Sequence, residues 1–215
     1  MAKEIKQPTE TLTSQLDRHN VKITKRERIL DSFFKVDAVT VDHDCFNGGR
    51  FHNIRREVIQ RADTVSVLLY DPHHDLILFV RQIRVPLLDR AERESPWTVE
   101  IIAGTIDWQA TPEQVARAEA KEEAGVELES LISIYSYFPS TGSDAGKMHL
   151  YLGLCDLSNA GGYYGLEEEG EDIEAFVVSR ARAFEMLDEG ILDNGFTMIA
   201  ILWLKLHYQD YLQSS

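Results

Sequence analysis

Glu119, Glu122 and Glu123 stand at i, i+3 and i+4 in a run that reads as one helix. At 100° per residue they fall within about a 40–100° arc of one another. Val115 and Ala116 lie on the same side, while Arg117 and Lys121 point the other way. Three carboxylates therefore occupy the stripe that a plain surface helix makes apolar. Like charges at these spacings repel by about a few tenths of a kcal/mol each. A divalent cation offsets that repulsion. Carboxylate oxygens suit Mg²⁺, which usually keeps waters and substrate phosphates as further ligands. The plain alternative is a solvated acidic face, since charge runs are usually just solvated.

The helix that carries these residues has clear ends. Thr111 is a good N-cap, Pro112 sits at the first helical position, and Gln114 completes a capping box. Gly125 marks the C-terminus. The segment from Gly104 to the cap reads as a loop.

Around it the chain reads mostly as strands. Residues 1–20 are polar, a composition from which loose order at the start is expected. Residues 29–41 hold Phe33, Phe34, Val36, Val39 and Val41 and read as one strand, and Asn47-Gly48-Gly49 is a turn. Residues 51–62 form a strand whose Arg55, Arg56, Glu57 and Arg61 sit beside Val58 and Ile59. Residues 64–70 and 76–84 form a hairpin through Asp71-Pro72-His73-His74-Asp75. The two histidines there read as part of a polar turn rather than a metal site. Residues 86–96 are a charged loop, and 97–102 a short strand feeding Gly104. Residues 131–138 and 148–154 are strands. The stretch 159–172 is an acidic, glycine-containing loop, suited to supply a base or a metal ligand beside a rigid scaffold. A strand at 173–178 and helices at 181–188 and 196–211 complete the chain. The last has a core stripe of Ile199, Leu202, Trp203 and Leu206. Strands, an acidic helix, strands and C-terminal helices imply an α+β fold with helices on a mixed sheet.

Gly104, Glu119, Ala120, Glu122, Glu123, Gly125 and Val126 stand in the register G-x5-E-x7-R-E-U-x-E-E-x-G-U. This stretch resembles the Nudix box. Ala110 replaces its first Glu and Ala118 its Arg, two side chains that support the loop and acidic helix in the family. The likeness runs from about residue 29 to the C-terminus and is strongest to the bacterial ADP-ribose pyrophosphatase branch. It is carried by Phe-Asn-Gly (46–48), Arg-Arg-Glu (55–57), Arg-Gln-Ile-Arg (81–84), Ser-Pro-Trp-x-x-Glu (95–100) and Gly-Leu-x-x-Glu-x-Glu-Asp-Ile (165–173). Asp-Asn (193–194) and Ile-Ala-x-x-Trp-Leu (199–204) match as well. Thr141 stands where many members of this branch have Pro before Gly.

The resemblance implies an α/β/α sandwich with the Nudix fold, a mixed sheet and a domain-swapped N-terminal β arm. Residues 1–60 would be the dimer-forming arm and 61–215 the hydrolase domain. It implies Mg²⁺-dependent (or Mn²⁺-dependent) hydrolysis of ADP-ribose to AMP and ribose 5-phosphate by a homodimer. Carried over by position, the metal ligands are the Ala103 carbonyl, Glu119, Glu123 and Glu171. Glu122 binds metal or holds a water near it, and Glu169 is the general base. Arg84 and Arg56 meet the pyrophosphate and adenosine regions, and Phe33 stacks on adenine across the dimer. Glu57, Glu100 and Gly104 are further substrate contacts. Such a cation neutralises the pyrophosphate oxygens and lowers the pKa of a water.

Composition sets the outer limits. A formal net charge of −14 over 215 residues opposes nonspecific nucleic-acid binding, which needs basic surface. An anionic substrate therefore needs local cations or arginines. Cys45 and Cys155 form no C-x-x-C pattern, against a disulfide framework or zinc site. No apolar leader is visible and no apolar run is long enough to span a bilayer, so a cytoplasmic protein is expected. Two other readings compete with ADP-ribose hydrolysis. Thr141 and the variable loops keep open a different nucleoside-diphosphate derivative, such as a nucleotide sugar. Ala110 and Ala118 keep open a weakened domain that senses a nucleotide.

Overall fold

Residues 29–41 do not run as one strand in the computed structural model, which describes residues 14–92, 95–107 and 109–212. A turn at Ser32–Phe34 divides them into the end of β1 (Val21–Asp31) and the start of β2 (Lys35–Asp44). The Ser32 amide and hydroxyl both reach the Phe34 carbonyl, at 3.2 and 3.3 Å. The β-branched and aromatic run hides the reversal, while Asp31-Ser32 supplies the turn chemistry. Phe33 stands at the tip, 94% exposed. A second turn at Asn47–Gly49, with Gly48 and Gly49 both at φ +85°, leads into β3 (Arg50–Gln60). The three strands form an antiparallel sheet in the order β1-β2-β3. Asp37, buried on β2, accepts hydrogen bonds from Arg26 at 3.1 Å and Arg28 at 2.5 Å on β1. This sheet belongs to one compact unit, made of the described residues up to Arg61 with Gly142–Asp144.

The second unit contains the rest of the chain. Its centre is β4 (Thr64–Asp71), buried at every residue after Thr64. An apolar run without alternation is what a strand covered on both faces requires. β4 turns through residues 72–75 into β5 (Leu76–Ile83), as the hairpin signal predicts. The two strands pair only over Leu69–Asp71 and Leu76–Leu78, then separate. The gap takes two short strands where the sequence reads as one. β6 (Trp97–Glu100) pairs with the far half of β5, and β7 (Ile102–Thr105) with the near half of β4. The chain steps between them at Ile101.

There follow α1 (Pro112–Ala124), β8 (Ser130–Tyr137), β9 (Met148–Leu154), β10 (Gly162–Tyr164) and β11 (Ile173–Ser179). α2 (Arg180–Asp188) and α3 (Gly195–His207) close the fold. The sheet order is β10-β11-β5-β4-β9-β8, with β4 and β9 parallel and the other neighbours antiparallel. The acidic stretch 159–172 is therefore not all loop, since it contains β10 and a 3-10 turn at Glu167–Glu169. α3 stops at His207 and tightens into a 3-10 turn at Tyr208–Asp210.

Alternate residues of β4 face opposite layers, as strand geometry dictates. Val65, Val67 and Leu69 join Val115, Ala116 and Ala120 of α1 in one core. Leu68 and Tyr70 join Ala183 of α2 and Ala200, Ile201 and Leu204 of α3 in the other. The result is the expected α/β/α sandwich, a mixed sheet between one helix and two. Among the described residues no helix is long and apolar enough to cross a membrane.

Candidate active site

α1 forms where its signals place it. Thr111 caps the Gln114 amide, the Gln114 side chain returns to the Thr111 amide, and Gly125 ends the helix at φ +66°. The buried stripe is Val115, Ala116, Ala120, Glu123 and Ala124. Glu123 is thus a carboxylate in an otherwise apolar stripe, and only 3% exposed. Its Oε2 accepts the Ala103 amide of β7 at 3.1 Å. Burial pushes the Glu123 carboxyl up to about 8; Glu119 and Glu171 add to the rise, and the Ala103 amide and Arg84 oppose it. An acid with this environment stays protonated in neutral water unless a positive charge arrives.

Glu119 lies one turn earlier, half-buried against β7. A Cβ on Gly104 would stand 1.8 Å from Glu119 Oε1, so the missing side chain at 104 is the space the carboxylate occupies. Glu171 comes from the acidic stretch, where its Oε2 takes the Leu166 amide at 3.4 Å. Gly165, at φ +101°, allows this fold-back, since a Cβ there would lie 2.9 Å from the Glu171 Cβ. Arg84 follows β5, and its guanidinium is held charged chiefly by Glu100, with Glu123 and Glu171 adding to the effect. The Arg84 Nε and Nη2 donate to the two oxygens of Glu100 at 2.9 and 2.5 Å.

The second unit therefore brings together Arg84, Glu100, Ala103, Gly104, Glu119, Glu123 and Glu171. Glu122 faces outward and is exposed, so the three box carboxylates do not share one environment. The backbone of Glu169 lies in the 3-10 turn, and its side chain is outside the described residues. Phe33, Arg56 and Glu57 belong to the first unit, where Glu57 accepts from Arg55 at 2.9 Å. Ala118 is exposed on α1. Ala110 lines an open cleft of about 710 Å³ with Asp63, Thr105, Ile106 and Asp107.

The side-chain groups that the second unit gathers at this acidic corner, Glu119, Glu123 and Glu171, offer oxygen donors. Such a set fits a hard divalent cation, and the pressure on Glu123 is what a cation relieves. Among the described residues, the group that holds three ligand-type atoms within 4.8 Å of one another is a different one, Asp71, His74 and Asp156. Asp71 is already fully engaged there. Its Oδ1 takes the His73 and His74 amides, and its Oδ2 takes the Leu157 amide and the His74 ring. The arrangement locks the β4–β5 turn.

Thr98 and Thr197, which sequence reasoning did not single out, and Asn194, which it named only within the Asp-Asn pair, hold the site in shape. Thr98 Oγ1 donates to Glu100 Oε1 at 2.5 Å. Thr197 Oγ1, fully buried on α3, accepts the Ile101 amide at 3.1 Å, satisfying the group freed by the step between β6 and β7. Asn194 caps α3 and donates its Nδ2 to the Val99 carbonyl at 2.9 Å. The cap signal of Asn194 is readable in sequence; its reach to β6 is not.

Fold and site together define an α/β/α sandwich with a carboxylate corner between an acidic helix and a bent strand pair. Residues 60–190 match the model of the NUDIX domain, and the chain belongs to the Nudix family. It is similar to the ADP-ribose pyrophosphatase of Escherichia coli (strain K12), 36% identical over 192 residues, or 89% of this chain and 91% of that one. The ADP-ribose pyrophosphatase of Haemophilus influenzae is 34% identical over 198 residues, 92% and 91% of the two chains. The GDP-mannose pyrophosphatase of Pectobacterium atrosepticum is 29% identical over 184 residues, 84% and 92%. A crystal structure described as an ADP compounds hydrolase superposes with a TM-score of 0.68 at 18% identity, covering 91% of this chain and 98% of that one, a likeness of fold.

Proposed function

We propose that this chain is a Nudix pyrophosphatase that hydrolyses ADP-ribose to AMP and ribose 5-phosphate with a divalent cation, Mg²⁺ or Mn²⁺. The observation that carries the reading is Glu123, a carboxylate only 3% exposed that takes the Ala103 amide at 3.1 Å and lies in the field of Glu119, Glu171 and Arg84. The two relatives at 34–36% identity bear the name of that activity.

The Ala103 carbonyl, Glu119, Glu123 and Glu171 would hold the cation, and Glu122 would bind it or hold a water near it. When bound, a divalent cation neutralises pyrophosphate oxygens and lowers the pKa of a water. Arg84 holds a phosphate oxygen with the donors that Glu100 leaves free. Glu169 takes the proton of the attacking water, whose oxygen bonds to one phosphorus as the bridging P–O bond breaks. Phe33 and Arg56 contact the adenosine, and Glu57 and Gly104 are further substrate contacts. Residues 1–60 serve as the arm of a homodimer and 61–215 as the hydrolase domain. The exposed Val21, Ile23, Ile29 and Leu30 of β1 support a partner for that arm. The enzyme acts in the cytoplasm.

Thr141 and the more distant GDP-mannose relatives favour a nucleotide sugar as the second reading. A panel of ADP-ribose, ADP-glucose and GDP-mannose at equal concentration separates the two. kcat/KM is expected to be highest for ADP-ribose; a preference for a nucleotide sugar overturns the first reading.

A further inference from the structure

We propose that Glu100 is a positioning residue that acts through Arg84 and does not itself touch the substrate. The inference rests on the reading of Arg84 as a phosphate contact.

Glu100 is 3% exposed at the end of β6. Both of its oxygens are engaged, and three of about four acceptor sites are taken. Oε1 accepts from Arg84 Nε at 2.9 Å and from Thr98 Oγ1 at 2.5 Å, and Oε2 accepts from Arg84 Nη2 at 2.5 Å. A carboxylate engaged in this way has little capacity left for a sugar or base. The Arg84 side chain, by contrast, is 40% exposed. A guanidinium has five N–H donors, and the fork to Glu100 uses one edge. The outer edge, with the remaining donors, stays free for an anion.

The fork has a second consequence. Arg84 lies in the field of Glu123 and Glu171, the carboxylates proposed to hold the cation. An arginine on a flexible stem would turn toward them, neutralise them and leave the phosphate position. A bidentate pair fixes both the plane and the direction of the guanidinium. Glu100 therefore gives Arg84 a partner outside the acidic corner and keeps that corner for a cation. The support behind Glu100 is rigid. Thr98 is buried beside it, β6 pairs with β5, and the Asn194 side chain holds the Val99 carbonyl.

A double-mutant cycle tests this. Native protein, Glu100→Gln, Arg84→Gln and the double variant are compared for kcat/KM on ADP-ribose and for ADP-ribose affinity by calorimetry, with Tm as a check of folding. Glu100→Gln alone is expected to lose at least tenfold in kcat/KM and to weaken binding. In the Arg84→Gln background it is expected to cost less than twofold in either quantity. If the two losses multiply, Glu100 acts independently of Arg84 and the inference falls while the functional reading stands. If Arg84→Gln is as active as native, the reading of Arg84 falls, and the inference with it. No turnover or binding in the native chain counts against both. Thr98→Val keeps both charges and provides the milder variant should Glu100→Gln fold poorly. Its loss must also vanish without Arg84, and an equal loss in both backgrounds overturns the proposal.

Discussion

The Glu123 carboxylate and the Ala103 amide meet at 3.1 Å across the contact between α1 and β7. This bond places a carboxylate inside the helix–sheet interface, and burial there raises its pKa to about 8. Substituting Glu123→Gln keeps the shape and removes the charge. We expect the fold to persist and turnover to fall by at least 100-fold at saturating Mg²⁺. Near-native turnover under those conditions contradicts its role as a ligand.

The same residue sets a pH dependence in metal-free protein. Its carboxyl ionises near 4.5 when unfolded and near 8 when folded. Between those values the unfolded chain has lost a proton that the folded chain keeps, so folding stability falls as pH rises. At one pKa unit per about 1.4 kcal/mol, the loss is on the order of a few kcal/mol by pH 8. Urea midpoints measured under chelator from pH 5 to pH 8 should decline, and Glu123→Gln should flatten the decline. Mg²⁺ should restore stability most at the alkaline end. A midpoint that rises over this range in chelator refutes the sign.

Gly104 is predicted to be a cation-affinity position. An alanine Cβ would fall on the end of the Glu119 side chain, which is flexible enough to move aside. Gly104→Ala should leave Tm within a few degrees of native and weaken Mg²⁺ binding roughly 10-fold. Unchanged Mg²⁺ affinity in a titration would show that Glu119 need not sit against β7.

Thr197 reports on the step between β6 and β7. Thr197→Val removes the acceptor of the buried Ile101 amide without changing volume much. An unsatisfied buried donor costs about 1–3 kcal/mol. Chemical denaturation should show a loss of that size; no loss would mean that the amide finds another partner.

For Glu169, replacement by Gln should lower kcat by roughly 10²–10⁴-fold while Mg²⁺ affinity is kept. Lost metal affinity instead would make Glu169 a ligand and not the base.

How much of this was readable in the chain depends on how local each feature is. The caps of α1, the Asp71–Asp75 hairpin turn and the span Met148–Leu154 are short-range signals, and the fold keeps all three. The turn at Ser32–Phe34 was hidden because aromatic and β-branched residues on both sides suit a continuous strand. The division at Ile101 was hidden for a different reason. Residues 97–102 read as one strand and Gly104 onward as a loop, and only the separation of β4 from β5 forces the change of partner that extends pairing to Thr105. In the site, spacing identified Glu119 and Glu123 as neighbours but placed Glu122 with them, whereas packing turns Glu122 to solvent. The bonds from Arg84 to Glu100 and from Ile101 to Thr197 join positions 16 and 96 residues apart, where no periodic pattern speaks.

The most direct test of the account is product identification by mass after incubation of the chain with ADP-ribose, with and without Mg²⁺. AMP and ribose 5-phosphate, formed with Mg²⁺ and absent under chelator, are the predicted result, and would show that Ala110 and Ala118 are tolerated. ADP-ribose recovered intact in the presence of Mg²⁺, or the same products formed under chelator, would contradict it.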